Sequence, residues 1–351
     1  MYKKNINIFY NLLNKEKHIF ISILVILIYI YFRSGVDYLP VENLDIPTGI
    51  GVDIIGGNKE YSVPISYYNY GENQRIGSII NTGVSSYLTG SRESRQLITN
   101  KSMILGLERV YIFSEAYSQF GIKNLIDTEF KNSNINDTAL LAVCNGKAED
   151  ILKYQVSEYP SAADYIEGML KRSIEDNFFS NNYKMMDVFV RMEAEGRNVV
   201  LPYIEVKDKR LKITGMALFK EDKMIRKIDI AEARIMNLLR EHKVKGILAV
   251  QETPKEYISF KVKTKRKVRC EKKEDKFIFY IDLLLCGNII ENELYSDIHE
   301  NSETMKLFQT KMKEKVEKQC LDFITEMQKE YNVDCLALGR VAAAKYGRHQ
   351  K

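Results

Sequence analysis

Apolar residues fall into three patterns along this chain, each implying a different element. The first is an unbroken run from Ile19 to Phe32, with no charge, Gly or Pro inside it. The second is strict alternation over Tyr257 to Cys270, which places Lys261, Lys263, Lys265, Lys267 and Arg269 on one face of a strand. A charged turn, Glu271 to Asp275, leads on to Phe277–Cys286, apolar on both faces except Asp282. This predicts a long hairpin with one solvated strand and one buried strand. The third pattern spaces Met305, Phe308, Met312, Val316, Cys320, Phe323 and Met327 three and four apart. That predicts a helix from about Ser302 to Tyr331 whose apolar stripe is core.

Between these lie mixed elements. Ile54-Ile55 and Tyr61–Tyr67 flank Gly56-Gly57-Asn58 and read as a hairpin, with Pro47 and Pro64 pushing parts of it to an edge or bulge. Arg109–Phe113 and Ala139–Cys144 read as core strands, and Ser114 as the N-cap of a helix ending at Phe120-Gly121. Helices are expected over 122–136, 148–153, 161–175, 182–195 and 230–241, the last with Ile235, Leu238 and Leu239 inward. Leu211–Phe219 pairs with Lys223–Ile228 across Glu221-Asp222, after an extended segment at Leu201–Val206. Strands alternating with helices make the fold class α+β: an N-terminal anchor, then two to three small sheet-plus-helix domains. The divisions expected are 1–38, 39–206, 207–252 and 253–351, the last a long hairpin sheet packed by the long C-terminal helix.

The apolar run decides where this body resides. As a helix it spans about 21 Å, short of the roughly 20 apolar residues that a bilayer core takes. Lys3, Lys4, Lys15 and Lys17 precede it, as in a signal sequence. Arg33-Ser34-Gly35-Val36-Asp37 is a poor cleavage site, and no lipobox cysteine follows, since the first cysteine is Cys144. The run therefore reads as an uncleaved anchor, with a cleaved signal or a core element as alternatives. Its members are Ile19, Phe20, Ile21, Ile23, Leu24, Val25, Ile26, Leu27, Ile28, Tyr29, Ile30, Tyr31 and Phe32. The positive-inside rule puts Met1–His18 in the cytoplasm and the body outside.

Composition adds limits rather than a function. The 351 residues are 45% hydrophobic and 28% charged, ordinary for a globular protein. A net charge of +5 permits attraction to anionic headgroups but is not that of a dedicated nucleic-acid binder. Five cysteines without a CxxC pair imply neither a disulfide framework nor a zinc site, and His242 and His299 are too few for a histidine-rich metal site. No cofactor, metal ligand or catalytic residue is expected. Gly49-Ile50-Gly51-Val52-Asp53 lacks the third glycine and the helix of a dinucleotide fingerprint, and reads as a strand-end turn. Cys144 before Asn145-Gly146 is weighed as a nucleophile against a buried core thiol, and core is preferred. Glu115 is weighed as an acid/base group against a first-turn helix carboxylate, and the helix role is preferred. The Lys261–Arg269 face is a candidate contact for headgroups or acidic partners, or a solvated face that discourages edge pairing. Arg92 and Arg95 either hold an anion or pair with nearby carboxylates.

Six segments, in order, resemble the Ger(x)C spore germination proteins, the C subunits of GerA-type germinant receptors. They are Leu44–Asp53, Tyr111–Glu115, Ala139–Leu152, Leu201-Pro202, Thr214–Phe219 and Asp334–Gly339. The resemblance covers nearly everything beyond residue 38. It implies three small α+β domains and a non-enzymatic subunit on the outer side of the spore inner membrane. It also implies assembly with multi-pass A and B subunits, on which small germinants act. Members of that family commonly carry a lipobox cysteine; here the Ile19–Phe32 helix stands in its place. A membrane-tethered hydrolase and a solute-binding module are the alternatives from other classes.

Overall fold

The structure is a computed structural model that describes residues 2–33, 40–70, 76–274 and 276–348, with side chains from residue 17 onward. The chain forms two compact units, Met1–Leu44 and Asp45–Lys351. The first unit is built on α1 (Tyr2–Arg33), so the apolar run is helical, and Ile19–Phe32 are exposed rather than packed in a core. Among the described residues no helix is long and apolar enough to cross a membrane. The junction at residues 34–37 and the division expected at 38 lie outside the described residues.

Near the start of the second unit, β1 (Leu44–Asp45) pairs with the equally short β5 (Ser102–Met103). Its main element is an eight-stranded sheet. Those strands are β2 (Pro47–Ile55), β3 (Glu60–Tyr70), β4 (Ile76–Ser85), β6 (Val110–Ser114), β7 (Leu140–Cys144), β8 (Val200–Lys207), β9 (Arg210–Lys220) and β10 (Lys223–Asp229). Their order is β10-β9-β8-β7-β6-β2-β3-β4, with β2, β6, β7 and β8 parallel at the centre. Every residue of β6 and β7 is buried, as a strand covered on both faces requires, and both read as continuous apolar runs.

Helices cover the two faces. On one side α3 (Glu115–Phe120), α4 (Lys123–Phe130) and α7 (Met185–Glu193) pack on Tyr111, Phe113, Leu141 and Val143. On the other, α5 (Ala148–Leu152) and α6 (Ala162–Arg172) pack on Val110, Ile112, Leu140 and Ala142. The short α2 (Gly90–Gln96) ties back to β3 through Arg95. The helix expected over 122–136 ends at Phe130, because Asn132, Ser133 and Asn134 turn the chain out of it.

A second sheet, in the order β11-β12-β13, comprises β11 (Lys245–Thr253), β12 (Glu256–Lys273) and β13 (Lys276–Asn292). Against it lies α9 (Ser302–Glu326), extended by a π turn at Met327–Tyr331. Phe308, Met312, Val316, Cys320, Phe323 and Met327 are buried there, as their spacing predicted. Val200, Met216, Leu218 and Ile228 of the large sheet share this core with α8 (Ile230–Arg240), Ile258 and Val262.

The expected divisions at 206 and 252 lie within β8 and β11, and β8 is hydrogen-bonded to β9 from Val200↔Leu218 to Lys207↔Arg210. Several expectations of local structure need correction. Pro64 is in an interior strand rather than at an edge: β3 pairs with both β2 and β4. A register shift does occur beside Pro47. Gly49 and Gly51 are inside β2, not at its end. β13 is an edge strand with no fully buried residue, not a buried one. A further helix, α10 (Leu338–Tyr346), follows the long C-terminal helix.

Candidate functional site

The carboxyl ends of parallel strands are where sheets covered by helices usually form ligand sites. Here that edge carries Asp53, Ser114, Cys144 and Tyr203, with Glu115 opening α3. Each polar group is engaged in holding the fold. Asp53 accepts the Ala148 N–H at 2.7 Å and the Glu149 N–H at 3.2 Å, so it caps the first turn of α5. Burial pushes its carboxyl pKa up, against those two bonds and Ser114. Ser114 caps α3 by accepting the Tyr117 N–H at 3.2 Å, as expected. Glu115 accepts a hydrogen bond from Tyr203, whose ring lies 4.5 Å beneath Lys227 Nζ. Burial and Glu115 raise the Tyr203 pKa.

Cys144 is buried, and burial holds its thiol in the neutral form, with Asp53, Asp150 and Glu115 adding to the shift. The histidines that might serve it sit elsewhere. His242 Nδ1 faces the Arg266 amide at 3.4 Å on β12, and His299 lines the cleft between β13 and α9. Gly51 shows why this edge is closed: a Cβ there would meet Pro64 Cγ at 2.7 Å and Ala148 Cβ at 3.0 Å. At Gly49 it would meet Ala163 Cβ at 2.8 Å. These glycines admit α5 and α6 against β2, which is a packing role rather than a phosphate-cradling one. Arg95, weighed as an anion ligand, is buried and donates to the Val63 carbonyl at 2.9 Å, whereas Arg92 is exposed.

The second sheet leaves more of its groups open. Lys261, Lys263, Lys265, Lys267 and Arg269 are exposed on one face of β12, as the alternation predicted. Lys261 pairs with Asp176 at 2.7 Å and Arg269 with Asp282 at 3.3 Å. Lys263, Lys265 and Lys267 form no ion pair among the described residues, and Lys263 stands opposite Lys245 of β11. Guarding an edge is not their role, because β12 is the central strand. Its open second half is covered instead from α10, where Lys345 Nζ donates to the Cys270 carbonyl at 2.7 Å and Tyr346 approaches Lys272. The exposed edge is β13. Along it, the sheet and α9 diverge around an apolar cleft of about 1210 Å³, lined by Phe279, Ile281, Leu283 and Leu285 opposite Met305 and Phe308.

Comparison with known proteins fits this architecture. Residues 37–206 match the family described as spore germination protein N-terminal domain. Residues 214–351 match spore germination B3/GerAC like, C-terminal. The chain belongs to the Ger(x)C family of spore germination proteins. Spore germination protein GerQC of Bacillus cereus is 28% identical over 149 residues, 40% of this chain and 39% of that protein. The crystal structure of the GerBC protein superposes with a TM-score of 0.53 over 86% of this chain and 88% of that one. At 14% identity, this likeness speaks for the fold.

Within this Ger(x)C chain, the α1 residues Ile19–Phe32 expose an apolar surface on all sides of the helix. Sequence reasoning missed the β13–α9 cleft because it took β13 for a buried strand. The alternation within Phe277–Ile289, with Asp282, Asn288 and Gly287 interrupting it, was the available signal.

Proposed function

We propose that this chain is a non-catalytic subunit of a spore germinant receptor, assembled with multi-pass A and B subunits at the spore inner membrane. The two spore germination matches, over 37–206 and 214–351, carry this reading. The strand-end edge supports it, since Asp53, Ser114, Glu115 and Cys144 are occupied in holding helices and core together. In this reading the Ile19–Phe32 part of α1 sits in the membrane, with Lys15 and Lys17 before it on the cytoplasmic side and the body on the outer side. Tethering beside the partners raises local concentration and favours assembly.

The β13 edge is the surface offered to them. Its unpaired backbone groups and apolar cleft suit an extended partner segment that adds a fourth strand. The basic face of β12, turned away from α9, favours acidic loops or anionic headgroups. Detergent extraction of spore inner membranes, with capture of the full-length chain, tests the reading. Multi-pass partners should co-purify, and Leu283→Lys should release them while the chain stays in the membrane fraction. Recovery of the wild-type chain without such partners defeats the proposal.

A further inference from the structure

A cluster of positive charge forms where α7, the turn before β8, the end of α8, the inner face of β12 and the start of α10 meet. Arg191, Arg197, Arg240, Arg266 and Arg340 line one cleft of about 480 Å³. Only Asp187 and Glu241 oppose them there. Glu241 is already shared: Oε1 accepts from Arg240 Nε at 3.1 Å and lies 3.7 Å from Arg191, while Oε2 accepts from Asn182 at 2.9 Å. Asp187 closes the cap of α7 on the Lys184 N–H. Arg240 spends its remaining nitrogens on the Cys335 and Asn198 carbonyls.

This inner group is structural, and beside it Arg197, Arg266 and Arg340 form no ion pair among the described residues, although Glu241 and Asp334 lie near enough to Arg266 to favour its charge. Arg266 gives one nitrogen to the Leu336 carbonyl at 3.2 Å, yet its Nε is buried with no hydrogen-bond partner. Arg197 and Arg340 make no ion pair or side-chain hydrogen bond among the described residues. Burial opposes the charge on Arg197 and Arg266; repulsion from Arg240 and Arg340 adds to it, while Glu241 and Asp334 offset part of it at Arg266. A buried donor left unmade costs more than a hydrogen bond returns. Planar guanidinium forks match tetrahedral oxyanions in pairs, and one carboxylate would offset only one of the three charges.

We propose that this cleft binds a phosphate group, free or carried on a small ester or lipid headgroup, held by Arg197, Arg266 and Arg340. A cleft of this size admits such a ligand. Arg191 and Arg197 come from the segment matched as the N-terminal domain, whereas Arg240, Arg266 and Arg340 come from the C-terminal one. Phosphate would therefore fasten the two segments together and stabilise the folded chain in proportion to its occupancy.

The test uses the full chain in neutral detergent, titrated with inorganic phosphate at constant ionic strength against chloride. Calorimetry should show saturable one-site binding, and phosphate should raise the unfolding midpoint by a few degrees where chloride does not. Arg197→Gln and Arg340→Gln, near the cleft mouth, should each weaken binding about tenfold with unchanged far-ultraviolet circular dichroism. Lys265→Gln, on the opposite face of β12, should leave binding intact. Arg266→Gln carries a folding risk, so the other two variants decide. Glycerol phosphate in solution and phosphatidic acid in mixed micelles separate the sources: equal affinity indicates free phosphate, and a tenfold preference for micelles indicates a headgroup. Phosphate acting no better than chloride, or binding to an Arg197→Gln/Arg340→Gln chain as to the parent, overturns the site.

Discussion

The two sheets of the second unit solve the same packing problem to different degrees. At the centre of the large sheet, β6 and β7 are buried on both faces, and strand-end groups such as Asp53 and Ser114 are paired. In the smaller sheet only one face is covered and β13 has an open edge; unpaired buried groups occur in both parts, Tyr117 Oη, Ser118 Oγ and Thr214 Oγ1 in the large sheet and its helices, and others beside the smaller sheet. Asn237 has neither amide atom bonded, and Thr264 Oγ1 and Arg266 Nε are also without partners. Polar groups left unmet inside a protein are costly, so they persist where something other than stability is served. The large sheet behaves as a scaffold, and the smaller one with α9 carries the exposed surface.

The largest test of that contrast lies in the scaffold. Phe113 is fully buried on β6 and packs edge-on against Tyr117 at 5.7 Å. Phe113→Ala should lower unfolding free energy by about 3–5 kcal/mol, as core truncations do. Leu284→Ala, on the outer face of β13 with 54% of its surface exposed, should change it by less than about 0.5 kcal/mol. Denaturant titration of both variants reads the difference, and comparable losses would erase the distinction.

A change of opposite sign comes next. Asn237 is wholly buried in α8 between Met236 and Leu238, with its amide unbonded. Asn237→Leu keeps the branched shape, though not the volume, and removes a desolvated polar group, so it should raise stability by about 1–2 kcal/mol if the site accommodates the methyls. A loss on that substitution, with no gain from the smaller Asn237→Ala, would show that the amide is satisfied in solution.

Much of the scaffold was legible in the sequence, and less of the surface. Val110–Phe113 and Leu140–Cys144 announce themselves because strands covered on both faces are apolar throughout. The α9 stripe and the Ser114 cap are equally local signals. β4 escaped notice because an edge strand such as Ile76–Ser85 need not be apolar, and Gly77, Asn81 and Gly83 hide it. α10 escaped because Arg340, Lys345 and a run of alanines give it little apolar stripe; only Ala342 is buried. The glycines of β2 were seen but misplaced, since nothing local says that α5 and α6 will press on them. The arginine cleft was invisible for a topological reason: its five members come from four elements and a turn, brought together only by the fold.

Asp53 gives a subtler probe of the scaffold through pH. Burial raises its folded-state pKa, so the folded chain takes up a proton more readily there than the unfolded chain. Its contribution is fully present below the ordinary aspartate value, about 4, and is lost as pH rises through the raised one. Asp53→Asn should remove this slope. The stability of the parent relative to that variant should therefore fall from about pH 3.5 toward neutrality, followed by thermal unfolding at a series of pH values. A difference that rises with pH would mean that the bonds from Ala148 and Glu149 outweigh burial.

The smallest effect on stability is expected where the effect on association should be greatest. Lys263, Lys265 and Lys267 stand exposed on β12, and Lys263 faces Lys245 across the ladder. Opposed like charges weaken a sheet slightly, so removing three of them by substitution with Gln should leave stability within about 0.5 kcal/mol or raise it a little. Arg269 and Lys261 already have carboxylate partners in Asp282 and Asp176, which makes the three lysines the available part of the face. If that face meets acidic loops or anionic headgroups, binding of the parent should weaken steeply between low and physiological salt, over which the screening length falls to about 8 Å. The triple variant should bind more weakly and lose most of that salt dependence. A chain that binds membranes and partners with the same affinity and salt dependence after the substitution leaves the β13 edge as the surface of contact, and the lysines as no more than a solvated face.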